Sequence, residues 1–454
     1  MTLTGPCNAP DGVDVVALGE SMVTFLPTRP GRLADVPSFE RGIGGAESNV
    51  ACALAAAGCR ARWVSRVGAD GFGDHLVEAI GGYGVDVSAV GRDTARPTGV
   101  YFRTAGDRGT DVHEVAYYRS GSAASAMSVE NVDLDVVRSG RVLHLSGITA
   151  ALSEGCLGLL RELTAPYEGR PLVSFDVNYR AGLWAAGDGP GVLLELARRA
   201  DVVFVGEDEA DEAWGITGGP SAVRAALPEP GVLVVKQGAV GATAFVSGAG
   251  AEGWSRPRGG AAYWHSPAPL GPAEDPALRG AAGRPVQGAG GGLVAPFPAP
   301  LGPADRRQSQ AAGGAPPGRL APAAGSRAAG AARVGAGGAP VAPGRATHPR
   351  PTATPGTFVP ALDVDVVAAT GAGDAFAAGF LSATLRGLPL RDRLRHGHLW
   401  AAATLAAPGD LAAPPSRDIA DRLVALDDAA WEKLRLGPGW TQAAEGADEE
   451  VRTP

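Results

Sequence analysis

From Ala251 to Pro360 the chain is built almost entirely of Gly, Ala, Pro, Arg and Ser. The stretch has no sustained apolar period of 2 or 3.6 and contains runs such as Gly314-Ala-Pro-Pro-Gly. It carries 11 arginines, no lysine and four acidic residues. Such a segment buries too little apolar area to offset the entropy of ordering its backbone. Any fold must therefore be made from the two flanks and must bring them together. The expectation is a disordered insertion over residues 255–355. A basic tether for an acidic partner stays open, as does an out-of-frame reading of a GC-rich gene, which a chain with only Lys236 and Lys433 as lysines would suit.

The rest of the composition is that of a globular protein. The 454 residues are 45% hydrophobic, enough for a full core, and the formal net charge of -8 argues against a nucleic-acid binder. No run of about 18 apolar residues points to a membrane. Met1 to Pro10 lacks a basic region followed by an apolar stretch. Cys7, Cys52, Cys59 and Cys156 have no C-x-x-C spacing and read as reduced thiols of a cytoplasmic protein.

In the flanks, short β-branched runs alternate with helical patterns. Strands are predicted at Val15–Leu18, Arg62–Val67, Val142–Leu145, Leu172–Val177, Val202–Val205 and Val232–Val235. Helices are predicted at Glu47–Ala57, His75–Ile80 and Ala375–Leu385, the last with Phe376, Phe380 and Ala383 on one face. This alternation implies an α/β fold, a mostly parallel sheet covered on both faces with ligands beyond its carboxyl edge. Thr98–Arg103 and His113–Arg119 break the rhythm and read as a hairpin, a small β-lid over about 98–119. The domain reading is a first part over 13–254, the insertion over 255–355, a second part over 356–430 and a tail over 431–454.

Two glycine motifs carry chemistry. Thr370-Gly-Ala-Gly-Asp374 follows the strand-like Asp363–Val367 and opens the Ala375 helix. Glycine lets the amides of Gly371, Ala372 and Gly373 approach an anion, and the helix start adds partial positive charge. Asp374 is the ionisable side chain of that cradle, placed to take a proton from an attacking hydroxyl. A glycine turn with Asp374 as helix cap is the plainer alternative. Gly42-Ile-Gly-Gly-Ala-Glu-Ser-Asn49 fails the dinucleotide fingerprint, because Glu47 stands where G-x-G-x-x-G needs glycine. There Gly44 and Gly45 could admit a polyol close to the backbone, with Asn49 offering donor and acceptor, and a plain helix start is the alternative that the motif alone favours.

Together with Gly68-Ala-Asp70, Gly71-Phe-Gly73 and Lys236-Gln-Gly-Ala-Val-Gly241, these motifs come in the order of ribokinase-like (PfkB-type) sugar kinases, which the chain resembles over about 13–250 and 357–425. No G-x-x-x-x-G-K-[ST] and no H-R-D loop occurs. The resemblance implies a three-layer α/β/α fold. Within the family the chain is similar to 2-keto-3-deoxygluconate kinases, through Tyr101, Tyr117-Tyr118-Arg119, His144-Leu-Ser-Gly-Ile148 and Phe175-Asp-Val-Asn-Tyr-Arg180.

That likeness implies ATP-dependent phosphorylation of a sugar acid, with Asp374 as base. Gly44, Gly45, Asn49, Tyr101, Tyr117, Arg119, Ile148 and Arg180 are the implied sugar contacts. Two arginines on separate segments suit a carboxylate. Gly206, Lys236, Gly238, Gly241, Gly371, Gly373 and His398 fall on the nucleotide side, and Glu209 near metal through water. Mg²⁺ is expected with ATP, and a monovalent cation is left open. The implied partners are the small-molecule sugar acid and ATP, with a homodimer or higher oligomer formed through the lid.

Three positions depart from the family pattern: Gly206 for Asn, Ala368 for Asp and His398 for Asn. The interval from Lys236 to Asp374 is about a hundred residues longer than in relatives. Two alternatives stay open, a kinase acting on fructose, ribose or a nucleoside, and a non-catalytic sugar-acid-binding remnant.

Overall fold

The computed structural model describes residues 12–29, 31–104, 114–184, 188–247 and 355–442. The chain divides into two units, residues 1–268 with 352–454 and residues 269–351. All described residues belong to the first. Apart from Pro355, the expectation for 255–355 lies outside them.

The strands are β1 (Val13–Leu18), β2 (Met22–Pro27), β3 (Phe39–Gly44), β4 (Ala61–Gly68), β5 (Val90–Asp93), β6 (Val100–Arg103), β7 (Val115–Tyr118), β8 (Gly140–Ser146), β9 (Leu172–Asp176), β10 (Val202–Gly206), β11 (Val232–Lys236), β12 (Gly241–Val246), β13 (Thr357–Pro360), β14 (Asp363–Val364) and β15 (Arg435–Leu436). Nine form one sheet in the order β13-β12-β11-β10-β9-β8-β1-β4-β5. It is parallel from β11 to β5, and β12 and β13 add two antiparallel strands at one edge.

Parallel strands buried on both faces read as continuous apolar runs, and Val202-Val-Phe-Val205 is fully buried. One face is covered by helices Ala46–Ala56, Ala372–Leu385 and Leu390–Leu405, the other by Glu154–Thr164 and Gly189–Arg199. This is the expected three-layer α/β/α arrangement. Each fully buried Val, Leu or Phe contributes about 1.5–3 kcal/mol.

The helix Ala372–Leu385 is buried all round from Ala375 onward rather than along one stripe, because it packs between helices Ala46–Ala56 and Leu390–Leu405. Its crossing with the latter is close. A Cβ on Gly397 would come 2.9 Å from the Phe376 ring, and one on Gly379 would sit 2.5 Å from His396 O.

A second sheet, in the order β3-β2-β6-β7, leaves the end of β1 and returns into helix Ala46–Ala56. β6 and β7 pair antiparallel, Tyr101 opposite Tyr117. The turn between them falls in the undescribed residues 105–113.

Two expectations need correction. The run Asp363–Val367 is not a strand of the main sheet. Only Asp363–Val364 is extended, paired with β15, while Val367 N and Ala368 N donate to Leu405 O. Residues 431–442 are also not a loose tail. Trp431 is buried, its indole donates to Pro360 O, and Arg395 stacks over its ring at 4.5 Å.

β12 and β13 pair directly, Ala244 opposite Thr357, so the long interval leaves and re-enters at neighbouring strand ends. Closing a loop costs only logarithmically more as it lengthens. Replacing residues 255–354 by a short Gly/Ser link is expected to keep or raise the thermal midpoint, checked by calorimetry. A fall of several degrees would show that the interval packs on the fold.

Candidate active site

The carboxyl edge of the parallel strands gathers residues from distant segments. Gly44-Gly45 ends β3 and starts helix Ala46–Ala56. A Cβ on Gly44 would collide with the Tyr101 hydroxyl, and one on Gly45 with Glu20 O. The double glycine thus lets the small sheet close onto the main one.

One turn further, buried Asn49 donates from Nδ2 to Asp374 Oδ2 at 2.9 Å. Its Oδ1 is buried without a protein partner, an acceptor that a ligand hydroxyl would satisfy.

Asp374 lies in the first turn of helix Ala372–Leu385. The cap, Gly371, has φ +81°, and a Cβ there would collide with Asp410 O, so glycine is required both conformationally and sterically. Asp374 retains a partly exposed surface. Its surroundings still desolvate it, and its pKa is pushed up to about 7. The Asn49 hydrogen bond and Lys236 oppose that rise, while Asp176 and Asp410 add to it. A carboxylate poised there is suited to general-base work at neutral pH.

Lys236, at the end of β11, places Nζ 3.0 and 3.2 Å from the two Asp176 oxygens. The same nitrogen is 3.6 Å from the position a Gly373 Cβ would take. Burial works to lower its pKa, but Asp176, Glu209 and Asp374 outweigh it and hold it raised. A fixed ammonium beside free helix-start amides is a fitting donor set for phosphate. Among the described residues no cluster of three or more His, Cys, Asp or Glu is set to hold a metal. A magnesium ion would therefore rely on phosphate oxygens and water for most of its shell. Gly238 (φ +55°) shapes the turn after Lys236, and Gly241 passes tightly against Val359 O. Beside this turn lies a shallow cavity of about 300 Å³ lined by residues including Pro220, Gln237, Thr243 and Phe358.

The other expected residues are placed as follows. Tyr101 is buried, its hydroxyl hydrogen-bonded to Asp410, and burial pushes its pKa up. Tyr117 is exposed, with its ring centroid 5.5 Å from that of Tyr101. Ile148 is half-buried on the short helix Gly147–Ala150.

Both arginines already have carboxylate partners. Arg119 pairs with buried Glu20, which also accepts from Ser122 Oγ. Arg180 Nη1 lies 3.2 Å from Glu209 Oε1. Gly206 supplies no side chain to the site, and its amide donates to Glu209 Oε2 at 2.8 Å.

His398 is placed differently from the expectation. It is buried in the core, edge-on to Phe376, with Nε2 3.2 Å from Val359 O. Burial lowers its pKa to about 4. Its imidazole joins helix Leu390–Leu405 to β13 and is already engaged by the backbone.

Besides Glu20, two carboxylates escaped the sequence reading. Asp410 accepts from Tyr101 and from Arg103 Nη2 at 2.5 Å, and its backbone abuts Gly371. The only cue was a lone acid after Pro408-Gly409. Glu47 is buried, accepts from Thr149 Oγ1 at 2.6 Å, and is pushed up to about 7 by burial.

Comparison with known proteins gives the family. Residues 13–257 and 353–417 match the model of the pfkB family carbohydrate kinases. The chain belongs to that family. As a pfkB carbohydrate kinase it is a phosphotransferase with an alcohol acceptor. Over 240 residues it is 35% identical to the 2-dehydro-3-deoxygluconokinase of Thermoproteus tenax, a match spanning 52% of this chain and 73% of that protein. It is 32% identical over 205 residues to fructokinase-1 of Zea mays, covering 44% of this chain and 62% of that one. The crystal structure of the PfkB protein from Polaromonas sp. JS666 superposes with a TM-score of 0.58 at 26% identity, over 88% of this chain and 98% of that one. Among the described residues of this pfkB kinase, no helix is long and apolar enough to cross a membrane.

Asp374→Asn is expected to keep the fold and lower kcat by about 10²–10⁴-fold, because the amide accepts no proton. Retention of a tenth of the activity would remove Asp374 from the base role. The sign of its effect on stability is also fixed. A carboxyl whose folded pKa lies above its unfolded value binds more protons when folded, so its contribution falls as pH rises from about 4 to about 7. The variant should therefore gain in thermal midpoint relative to wild type between pH 5 and pH 8.

Proposed function

We propose that this kinase transfers the γ-phosphoryl group of ATP to the terminal hydroxyl of 2-keto-3-deoxygluconate or a close keto-deoxy sugar acid. The observation that carries the transfer chemistry is the raised carboxylate of Asp374, bonded to Asn49 and standing beside Lys236 at a helix start.

In this reading one hydroxyl of the substrate donates to the free acceptor of Asn49, while the terminal hydroxyl, a separate group, presents its proton to Asp374. As the proton passes to Asp374, the hydroxyl oxygen bonds to the γ-phosphorus and the bond to the β-phosphate oxygen breaks. The amides of Gly371, Ala372 and Gly373 and the Lys236 ammonium stabilise the charge on the transferring group. Magnesium, when bound, would neutralise phosphate charge, and Glu209 would help to hold it through water. The cavity beside Gln237 supports placement of the nucleotide base there.

The choice of acceptor rests on Tyr101, Tyr117, Arg119 and Arg180 together with the likeness to a 2-dehydro-3-deoxygluconokinase. One observation favours a second reading. Each arginine is already neutralised by a glutamate, which leaves the site able to take a neutral sugar such as fructose. A pairing of two lids is supported by β7, an edge strand with Tyr118 66% exposed.

ATP consumption with 2-keto-3-deoxygluconate and with fructose separates these readings, and turnover of neither points to a binding remnant. Arg180→Ala should lower kcat/KM for the sugar acid by about 10- to 150-fold, the worth of a charge-assisted hydrogen bond. An equal loss with fructose would assign Arg180 to the phosphates or the fold. Arg119 is a poorer probe, because removing it strands buried Glu20, a loss of about 3–5 kcal/mol in stability.

A further inference from the structure

Sequence motifs put Arg180 on the sugar acid and Glu209 near metal and phosphate. The structure joins them instead. Arg180 Nη1 lies 3.2 Å from Glu209 Oε1 and also donates to Tyr179 O at 2.7 Å. The Arg180 side chain is 56% exposed, that of Glu209 13%. The second Glu209 oxygen is fixed by Gly206 N at 2.8 Å, so the carboxylate cannot swing away without uncapping its own helix. Arg180 is the mobile partner of the pair, and Glu209 the fixed one.

Four residues before Arg180, Asp176 holds Lys236 through both oxygens. The end of β9 thus carries two opposite charges, each paired with a residue on the nucleotide side, and Glu209 acts electrostatically on Lys236 as well. Between the two charges stands Asn178 at φ +41°, buried, with its Oδ1 unpartnered. Few non-glycine residues adopt that conformation.

We propose that Glu209 is a positioning residue that withholds Arg180 from the sugar acid until the nucleotide side is occupied, and so couples the two binding sites. The proposal rests on the sugar-acid reading above. With the nucleotide bound, its hydrated magnesium ion would give Glu209 a cationic competitor for Arg180. The guanidinium then turns to the carboxylate of the substrate. The linkage is reciprocal, so the sugar acid tightens nucleotide binding by the same factor. Its size is bounded by the worth of an exposed ion pair, about 2- to 5-fold in affinity.

Calorimetric titration of the full chain with 2-keto-3-deoxygluconate, alone and with saturating Mg²⁺ and a non-hydrolysable ATP analogue, tests this. Wild type should bind the sugar acid about 2- to 5-fold tighter with nucleotide present. Glu209→Gln keeps an acceptor for the Gly206 amide but loses the charge. It should bind the sugar acid that much tighter without nucleotide and gain nothing further from it. A merely structural role would weaken binding in both states. Glu209→Asp, one methylene shorter, should lose the coupling likewise and serves if the glutamine variant does not fold. Unchanged coupling in the variants, or weaker sugar-acid binding, overturns the proposal. Wild type that binds fructose and no sugar acid overturns the functional reading instead.

Discussion

A single hydrogen bond, from Asn49 Nδ2 to Asp374 Oδ2, joins residues 325 apart in sequence. It opposes the desolvation of a carboxylate at the edge of the sheet, and it fixes two helix starts against each other. The surrounding glycines serve that approach. Gly44 and Gly45 leave room for Tyr101 and for the Glu20–Ser21 backbone between β1 and β2, and Gly371 leaves room for the Asp410 backbone. A methyl group at any of them would collide with these neighbours and push the two helix starts apart.

Around this contact the charges are arranged in pairs. Asp176 holds Lys236, Glu209 holds Arg180, Glu20 holds Arg119 and Asp410 holds Arg103. Paired charges keep each cation in place without ligand. They also mean that a ligand competes with a protein carboxylate for the exposed cation, and gains little from those buried with their partners.

Much of this was legible in sequence. The six expected strands and the helix opened by Gly371 are in place, because β-branched runs and glycine-bounded starts are local signals. Asn49 and Asp374 were legible because each sits at a fixed offset from glycines. Asp410, Glu47 and Glu20 were not, because a lone acid in an Ala- or Gly-rich stretch shows no periodicity, and its role depends on partners far along the chain. His398 was misplaced for the related reason that its imidazole is turned to β13, a strand that pairs with β12 across the long interval. β14 read as a longer strand because Val366 and Val367 are β-branched, yet the amides of Val367 and Ala368 are taken by Leu405 O at the end of helix Leu390–Leu405.

In the proposed mechanism, proton transfer depends on the state of one carboxyl group, that of Asp374, in the free protein. Carbon-13 NMR titration of aspartate-labelled protein, with Asp374→Asn to assign the resonance, measures it directly. One aspartate should titrate near pH 7 and vanish in the variant. A resonance for Asp374 that titrates near pH 4, as ordinary aspartates do, would contradict a base poised for neutral pH.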